Sequence, residues 1–297
     1  MPATLYRGRF APSPTGPLHF GSLIAAMGSY LEAKSRAGEW LVRMEDLDPP
    51  RCMPDTDQRI INTLAAYGFE WDGEIVWQSQ RFDLYAEALE QLRTKHLVYR
   101  CDCSRKAIIQ RCSQGLYGAI YDGHCRHLEQ DDGASRIIAS GTSSYADRLQ
   151  GHIQQNLAQD IGDFHLLRRD GFYAYHIGVV VDDALQGISD IVRGFDLLDS
   201  TPRQIYLQQQ LNYPTPSYAH LPLAIKPDGQ KLSKQNLATA LDDNKPVPAI
   251  WEALQFLGQR PPRELQIASL NEIWAWALQH WCLQRVPAAQ GIETHIL

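Results

Sequence analysis

The sequence predicts an α/β fold in which helices cover both faces of a parallel sheet. Residues 7–11 and 40–44 are interpreted as short strands, and apolar residues recur at helical spacing in residues 19–36, 56–67 and 81–95. Strands that alternate with helices along a chain usually form a parallel sheet. This alternation is the main support for the predicted fold class.

A second set of strand-like segments follows in the middle of the chain. Residues 177–181 form a continuous apolar run, which predicts a buried parallel strand, and residues 163–175 have a strand-like pattern as well. Acidic residues follow two of the predicted strands. Glu45, Asp46 and Asp48 follow the strand at residues 40–44, and Asp182 and Asp183 follow the strand at residues 177–181. Because ligands bind at the carboxyl ends of strands in open parallel sheets, these acidic clusters mark the expected site. From residue 202 onward the pattern indicates helices and loops.

The composition excludes several broad classes of function. The chain of 297 residues is 44% apolar and carries a formal net charge of −6, which argues against a general nucleic-acid binder but leaves room for a local basic groove. No apolar run approaches the roughly 20 residues of a membrane span, and residues 1–9 contain no secretory signal. A cytoplasmic protein without membrane contact is expected. No coiled coil or long apolar edge suggests more than a monomer.

The turn after the first strand has the chemistry of a phosphate-binding site. Residues 12–17 are rich in Pro and Gly and lead into a helix, whose free N–H groups and positive dipole suit a phosphate. His19 in the first turn of this helix can donate to a phosphate oxygen, and Gly21 lets a flat base approach the backbone. The alternative is a plain strand–turn–helix with a capping histidine.

Three of the six cysteines lie close together in the sequence and suggest a metal site. Cys101, Cys103 and Cys125 offer thiolates, which suit Zn²⁺, and a structural zinc site needs four ligands. The candidates for the fourth ligand are Tyr121, His124, Cys112 and His127, and chemistry alone favours a histidine. The alternative is a loop with three free thiols.

Two segments resemble the signature motifs of class I glutamyl-tRNA synthetases. Residues 8–22 resemble the glutamyl version of the HIGH signature, although Phe20 and Ser22 replace two of its four letters. Lys231-Leu-Ser-Lys-Gln235 resembles the KMSKS loop. The resemblance implies a Rossmann-type class I aminoacyl-tRNA synthetase catalytic domain with a zinc-containing insertion and a short helical C-terminal region. It also implies that His19, Gly21 and Lys234 bind ATP and that His19, Lys231 and Lys234 are catalytic.

The same resemblance implies a pocket for glutamate. Such a pocket needs Arg for the side-chain carboxylate and an acid for the ammonium group, and Arg9 and Glu45 fit these roles. Residues 173–183 and 191–194 resemble a later pocket segment of the synthetases. The implied glutamate-binding residues are Arg9, Phe10, Ala11, Pro12, Ser13, Glu45, Tyr175 and Arg193. The alternatives are surface ion pairs for the charged residues and core packing for Tyr175.

Departures from full-length synthetases narrow the resemblance to their short paralogues. These paralogues carry Cys-x-Cys and Tyr-x3-Cys as zinc ligands, which implies Cys101, Cys103, Tyr121 and Cys125 here. Val179 stands where full-length enzymes usually present Asn to the substrate. In addition, the resemblance leaves no segment for an anticodon-binding domain.

The resemblance also divides the chain into segments. Residues 1–99 and 166–236 correspond to the two halves of the Rossmann catalytic domain, and the second half contains the Lys231-Leu-Ser-Lys loop. Residues 100–165 correspond to the zinc-containing insertion, which is expected to contact RNA. Residues 237–297 correspond to the helical C-terminal region.

The resemblance implies a function in two steps. The short paralogues activate glutamate with ATP and Mg²⁺ in the absence of tRNA, and then attach it to the queuosine base in the anticodon of tRNA(Asp). The implied partners are ATP, L-glutamate and the anticodon stem-loop of queuosine-containing tRNA(Asp), with one structural Zn²⁺. The alternatives are a minimal glutamyl-tRNA synthetase, a glutamate ligase with another acceptor, and an inactive paralogue that binds RNA.

Overall fold

A computed structural model describes residues 5–115, 118–128, 130–226 and 239–294 of the chain. The α-helices of these residues are α1 (Phe20–Lys34), α2 (Thr56–Ala66), α3 (Phe82–Thr94), α4 (Arg105–Arg111), α5 (Tyr175–Leu185), α6 (Thr201–Leu211), α7 (Pro246–Phe256) and α8 (Leu270–His280). The strands are β1 (Arg7–Phe10), β2 (Glu39–Met44), β3 (Val76–Trp77), β4 (Val98–Cys101), β5 (Gln114–Gly115), β6 (Gly118–Ala119), β7 (Ala134–Ile137), β8 (Thr142–Asp147), β9 (Gly151–Asn156), β10 (Phe164–Leu167), β11 (Asp190–Gly194), β12 (Ser217–Leu221), β13 (Leu223–Ile225) and β14 (Gly291–Glu293). Within the described residues, each helix is too short or too polar to cross a membrane.

The first part of the fold is a parallel sheet of β1, β2 and β3 with α1 packed across it. Gly28 lets α1 approach β12 closely, because a Cβ atom at this position would lie 2.5 Å from Leu221 Cδ1. The strands and helices predicted for the first 95 residues are present, and their ends differ from the prediction by one or two residues. The predicted α/β class is therefore confirmed.

A second sheet, in the order β11-β12-β8-β9, lies beside the first. β11 and β12 are parallel, whereas β8 and β9 form an antiparallel hairpin. The Ser189 N–H donates to the Arg7 carbonyl oxygen at 3.0 Å, and the Arg7 N–H donates to Ser189 Oγ at 2.9 Å. Because the start of β11 adjoins the start of β1 in this way, the two strands end at the same edge.

Residues 177–181 form part of helix α5 and not the buried strand that their apolar run predicts. The segment is buried along its whole length, so it lacks the polar face that usually distinguishes a helix from a strand in sequence. Asp182 and Asp183 therefore lie in a helix, and the prediction that they follow a strand is wrong. The pattern of residues 163–175 corresponds only to β10, and the helix-and-loop pattern after residue 202 misses β12, β13 and β14.

A small antiparallel sheet, in the order β10-β7-β4, precedes α5. Cys101 is the last residue of β4, and α4 and the hairpin of β5 and β6 follow it. After β10 the chain returns towards α5, where the Ala174 N–H donates to the Leu166 carbonyl oxygen at 2.9 Å. This sheet is therefore attached directly to the first turn of α5.

The C-terminal helices pack against the first sheet. Tyr30, Trp40, Phe69 and Trp274 form an aromatic cluster in which the Trp274 ring lies 5.1 Å from the rings of both Tyr30 and Phe69. The Trp274 indole N–H also donates to the Tyr67 carbonyl oxygen at 2.8 Å. α7 and α8 lie within residues 237–297, the predicted helical region, and β14 adds a short strand that pairs with β13.

Truncation of Trp274 tests how far α8 stabilises the first sheet. We expect Trp274→Ala to lower the free energy of unfolding by about 3–5 kcal/mol, because it leaves a cavity among aromatic rings and removes a buried hydrogen bond. Trp276→Ala on the same helix is the matched control. It should lower the free energy of unfolding clearly less, because Trp276 is only half-buried. Urea denaturation followed by circular dichroism measures both losses, and equal losses would contradict the prediction.

Candidate active site

A cavity of about 610 Å³ lies where β1 and β11 end. Each described residue that the sequence predicts for glutamate or ATP binding contributes to its wall. These residues are Arg9, Phe10, Ala11, Pro12, Ser13, His19, Gly21, Glu45, Tyr175 and Arg193. They come from β1 and the following turn, the start of α1, the end of β2, the start of α5, and β11. Lys231 and Lys234, the other predicted residues, lie outside the described part of the chain.

His19 caps α1 and also lines the cavity. Its Nδ1 accepts a hydrogen bond from the Gly21 N–H at 3.1 Å. A neutral imidazole that accepts at Nδ1 carries its proton on Nε2, and this nitrogen can donate to a phosphate oxygen. The capping role that the sequence left as an alternative is therefore compatible with a place at the site.

The chain leaves and rejoins the described structure beside this cavity on either side of residues 227–238. Ala224 in β13 lines the cavity. After the gap, Ala240 forms an antiparallel bridge with His19, and the Leu241 N–H donates to the Leu18 carbonyl oxygen at 2.9 Å. The predicted Lys231-Leu-Ser-Lys motif thus falls between two segments that are anchored at the cavity.

A buried network of ion pairs supports one side of the cavity. Arg9 donates from Nε and Nη2 to the two carboxylate oxygens of Asp183, at 3.1 and 3.2 Å. Arg43 is fully buried and donates to the same carboxylate at 2.8 Å, while its Nη2 lies 3.6 Å from Glu45 Oε1. Asp183 and Arg43 do not line the cavity. Asp183 therefore fixes Arg9, and Arg43 lies against Glu45, on the side away from the cavity.

Two buried polar atoms of the cavity-lining residues have no hydrogen-bond partner among the described residues. They are Glu45 Oε1 and Arg193 Nη1. The Glu45 side chain is 8% exposed and Arg193 is 4% exposed. Because an unpaired buried polar group is costly, a ligand that brings both a cationic and an anionic group would satisfy this wall.

Burial also changes how the acidic groups of the cavity titrate. It raises the pKa of Glu45 to about 7, although the charges of Arg43 and Arg9 oppose the rise. Burial raises the pKa of Tyr175 to about 12, so its hydroxyl stays protonated at neutral pH. The charge of the Glu45 carboxyl group therefore changes near neutral pH.

The burial of the cavity-lining side chains distinguishes between the alternatives that the sequence left open. Surface ion pairing is wrong for Arg9, Glu45 and Arg193, because all three side chains are buried in the cavity wall. Tyr175 is half-buried and lines the cavity, so it is not simply a core residue. Val179 is only 1% exposed and does not line the cavity.

Sequence reasoning missed several residues that hold the charged side chains of the cavity wall in place. Arg43 had a usable signal, since a charged residue inside an apolar strand is nearly always paired. Thr201 and Gln204, which accept hydrogen bonds from Arg193, gave no such signal because polar residues are common in helices.

The three cysteines predicted as metal ligands form a single cluster. The sulfur atoms of Cys101, Cys103 and Cys125 lie within 4.8 Å of one another, so they can hold a metal ion. The Tyr121 hydroxyl lies 3.3 Å from Cys101 Sγ and 3.5 Å from Cys103 Sγ. The Arg136 guanidinium lies 4.0 Å from the centre of the Tyr121 ring. The other predicted candidates differ in burial: His124 and His127 are exposed, and Cys112 is buried.

Comparison with known proteins defines the class of this chain. A family profile described as tRNA synthetases class I (E and Q), catalytic domain, matches residues 6–275. The crystal structure of a glutamate tRNA ligase from Elizabethkingia meningosepticum in complex with its amino acid has the same fold, with a TM-score of 0.79 at 24% identity. The match covers 99% of this chain and 68% of that one. The chain therefore belongs to the class I tRNA synthetases for glutamate and glutamine.

Within this class, the chain belongs with the glutamyl-Q tRNA(Asp) synthetases. The relative of that name from Chromobacterium violaceum is 53% identical over 292 residues, which cover 97% of each chain. The relative from Dechloromonas aromatica is 51% identical and covers 95% of this chain and 96% of its own. The predicted membership in the short paralogues of glutamyl-tRNA synthetase is confirmed.

Metal titration tests the cysteine cluster. We expect the reduced, metal-stripped protein to bind one equivalent of Cd²⁺ with the ultraviolet absorbance of cadmium–thiolate bonds, because three sulfurs converge at one point. Cys125→Ser should weaken binding by more than the roughly 10–100-fold that loss of a residue hydrogen-bonded to a metal ligand costs. Cys112→Ser is the matched control, since Cys112 is buried nearby but lies outside the three-sulfur cluster. Equal weakening in both variants would contradict the assignment.

Proposed function

We propose that this chain activates glutamate with ATP without the help of tRNA, and then attaches it to the queuosine base in the anticodon of tRNA(Asp). The observation that carries the proposal is the cavity, where Glu45 Oε1 and Arg193 Nη1 are buried and make no hydrogen bond to the described residues. An amino acid with two carboxylates and an ammonium group can donate a hydrogen bond to Glu45 Oε1 and accept one from Arg193 Nη1. The names of the relatives from Chromobacterium violaceum and Dechloromonas aromatica support the choice of amino acid and acceptor.

In this proposal two charged residues of the cavity each bind one charged group of glutamate. Glu45 binds the ammonium group and Arg9 binds the side-chain carboxylate, while Tyr175 and Arg193 complete the polar wall. Phe10, Ala11, Pro12 and Ser13 shape the rest of the pocket. Because Asp183 and Arg43 already hold Arg9 and Glu45 in place, little side-chain ordering is needed when the substrate binds.

The first step forms the glutamyl-adenylate. The α-carboxylate attacks the α-phosphorus of ATP, a new P–O bond forms, and the bond to pyrophosphate breaks. His19 donates from Nε2 to a phosphate oxygen, and Gly21 leaves space for the adenine base. Lys231 and Lys234 offset the negative charge that develops as pyrophosphate leaves, with Mg²⁺ bound to ATP in the same role. The anchoring of the flanking segments beside His19 supports this role for the loop.

The second step transfers glutamate to the RNA. A hydroxyl of the queuosine cyclopentene ring attacks the mixed anhydride, an ester bond forms, and AMP leaves. Residues 100–165 would contact the anticodon stem-loop, residues 1–99 and 166–236 would form the catalytic domain, and residues 237–297 would form the helical C-terminal region. We propose that the chain works as a monomer in the cytoplasm.

The cysteine cluster would hold one structural Zn²⁺. Cys101, Cys103 and Cys125 supply three thiolates, and the nearby Tyr121 oxygen fits the fourth place. When bound, the ion would tie the segments around Cys101 and Cys125 together. These residues do not line the glutamate cavity, which supports a structural role.

The pH dependence of glutamate binding tests the role of Glu45. Since burial raises the pKa of Glu45 to about 7, the carboxyl is ionised above this pH and neutral below it. Only the ionised form offsets the ammonium charge, so the KM for glutamate should rise about tenfold between pH 8 and pH 6. This KM is measured at each pH by the glutamate-dependent exchange of pyrophosphate into ATP, at saturating ATP.

Glu45→Gln is the matched control for this experiment. Gln keeps the size of the side chain but cannot titrate, so the KM should be high and nearly independent of pH. Tyr175 and Asp183 hold their charge states over this range, because the pKa of Tyr175 is about 12 and that of Asp183 is below its usual value. The same slope in both proteins would show that another group controls binding.

Transfer of labelled glutamate to three RNAs tests the proposed function as a whole. The RNAs are queuosine-containing tRNA(Asp), the same tRNA without queuosine, and tRNA(Glu), each with ATP present. We expect label only on the queuosine-containing tRNA(Asp). Label on tRNA(Glu) would instead indicate a minimal charging enzyme. No label on any RNA, with pyrophosphate exchange intact, would indicate a different acceptor.

A further inference from the structure

The Arg193 guanidinium is held on two of its three nitrogens by buried neighbours. Nε donates to His220 Nε2 at 3.1 Å. Nη2 donates to Thr201 Oγ1 at 2.7 Å and to Gln204 Oε1 at 2.8 Å. Nη1 has no partner among the described residues, and Arg193 lines the cavity. The hydrogen bonds of Nε and Nη2 therefore fix the orientation of the guanidinium, and Nη1 is the nitrogen that can still donate to a ligand.

His220 can accept from Arg193 only in one protonation state. It pairs with Arg193 across the parallel strands β11 and β12, and it is fully buried. Burial, together with the charge of Arg193, lowers the pKa of His220 to about 4, so the ring is neutral. Because Nε2 accepts from Arg193, the single proton must lie on Nδ1.

Asp147 at the end of β8 fixes this tautomer. Its Oδ2 lies 2.6 Å from His220 Nδ1 and accepts a hydrogen bond from the Nδ1–H group. Its Oδ1 accepts from the backbone N–H groups of Leu149 and Gln150, both at 2.9 Å. Both carboxylate oxygens are thus used, and the Asp147 side chain is 0% exposed. Neither Asp147 nor His220 lines the cavity.

We infer that Asp147 and His220 are positioning residues that set the affinity for glutamate through Arg193. Asp147 holds the proton of His220 on Nδ1, so the unprotonated Nε2 accepts from Arg193 Nε and also lies 3.2 Å from Thr201 Oγ1. The guanidinium is then fixed with Nη1 available to an anionic group of the substrate. The inference rests on the proposed function for the identity of that substrate. The antiparallel hairpin β8–β9 thereby contributes to the site without touching it.

Asp147→Asn should reverse the tautomer while preserving the shape of the residue. The Asn oxygen is required by the N–H groups of Leu149 and Gln150, so its NH₂ group must face His220. His220 Nδ1 then becomes the acceptor, and its proton moves to Nε2. Two donors, Arg193 Nε–H and His220 Nε2–H, would then face each other.

A double-mutant cycle measures this coupling by pyrophosphate exchange. We expect Asp147→Asn to raise the KM for glutamate about tenfold or more, with kcat and the KM for ATP nearly unchanged, since one hydrogen bond to a charged group is lost. His220→Gln keeps an acceptor near the Nε2 position but has no tautomer to reverse. Adding Asp147→Asn in that background should therefore change the KM for glutamate less than about twofold.

A purely structural role for Asp147 predicts a different pattern. In that case Asp147→Asn would raise the KM equally in both backgrounds, or would change the KM for ATP and the kcat together, and either result would overturn the proposal. Ser143→Ala is the control for folding, because Ser143 is buried on the same strand and its Oγ has no partner among the described residues. It should leave all three parameters unchanged.

Nitrogen NMR of ¹⁵N-histidine-labelled protein gives a readout that needs no substrate. The wild-type spectrum should show His220 with its proton on Nδ1, and Asp147→Asn should move the proton to Nε2. A proton on Nε2 in the wild type, or no change in the variant, would overturn the positioning role. If the tautomer shifts as expected but the wild type shows no glutamate-dependent exchange, the proposed function fails and the positioning of Arg193 stands.

Discussion

The arrangement of the cavity depends on one buried carboxylate, that of Asp183. It pairs with Arg9 on β1 and with Arg43 on β2, and so ties α5 to the first sheet. Burial alone would raise the pKa of Asp183, but the two guanidinium groups hold it below its usual range, so it is ionised at neutral pH. Without this charge, two buried guanidinium groups would lose their main counter-ion, which is among the costliest changes in a protein interior.

The two sides of the cavity are supported by different parts of the fold. Arg9 and Glu45 are held by residues of the first sheet and of α5. Arg193 is held by residues of β12, in the second sheet, and of α6. A ligand with charges of both signs would therefore bridge the two sheets. The division also explains why residues far from the cavity in sequence determine its geometry, since each charged group of the wall requires a buried partner behind it.

The sequence predicted the local features well and the long-range ones poorly. The turn before α1 and the pocket residues could be found because a short motif places several of them next to one another, and His19 and Gly21 act within a single helix turn. The ion pair between Arg9 and Asp183 could not be found, because 174 residues separate its partners. The run at residues 177–181 was misassigned because a fully buried helix and a buried strand have the same continuous apolar pattern. Lys231 and Lys234 lie outside the described residues, so their roles remain predictions.

The central claim is that the charged wall of the cavity selects and activates glutamate without RNA. Exchange of labelled pyrophosphate into ATP, measured in the absence of any RNA with glutamate, glutamine or aspartate, tests this claim most directly. The account predicts exchange with glutamate and little with the other two, because glutamine lacks the side-chain charge for Arg9 and aspartate is too short to reach it. Equal exchange with glutamine, or exchange with glutamate only after tRNA is added, would contradict it.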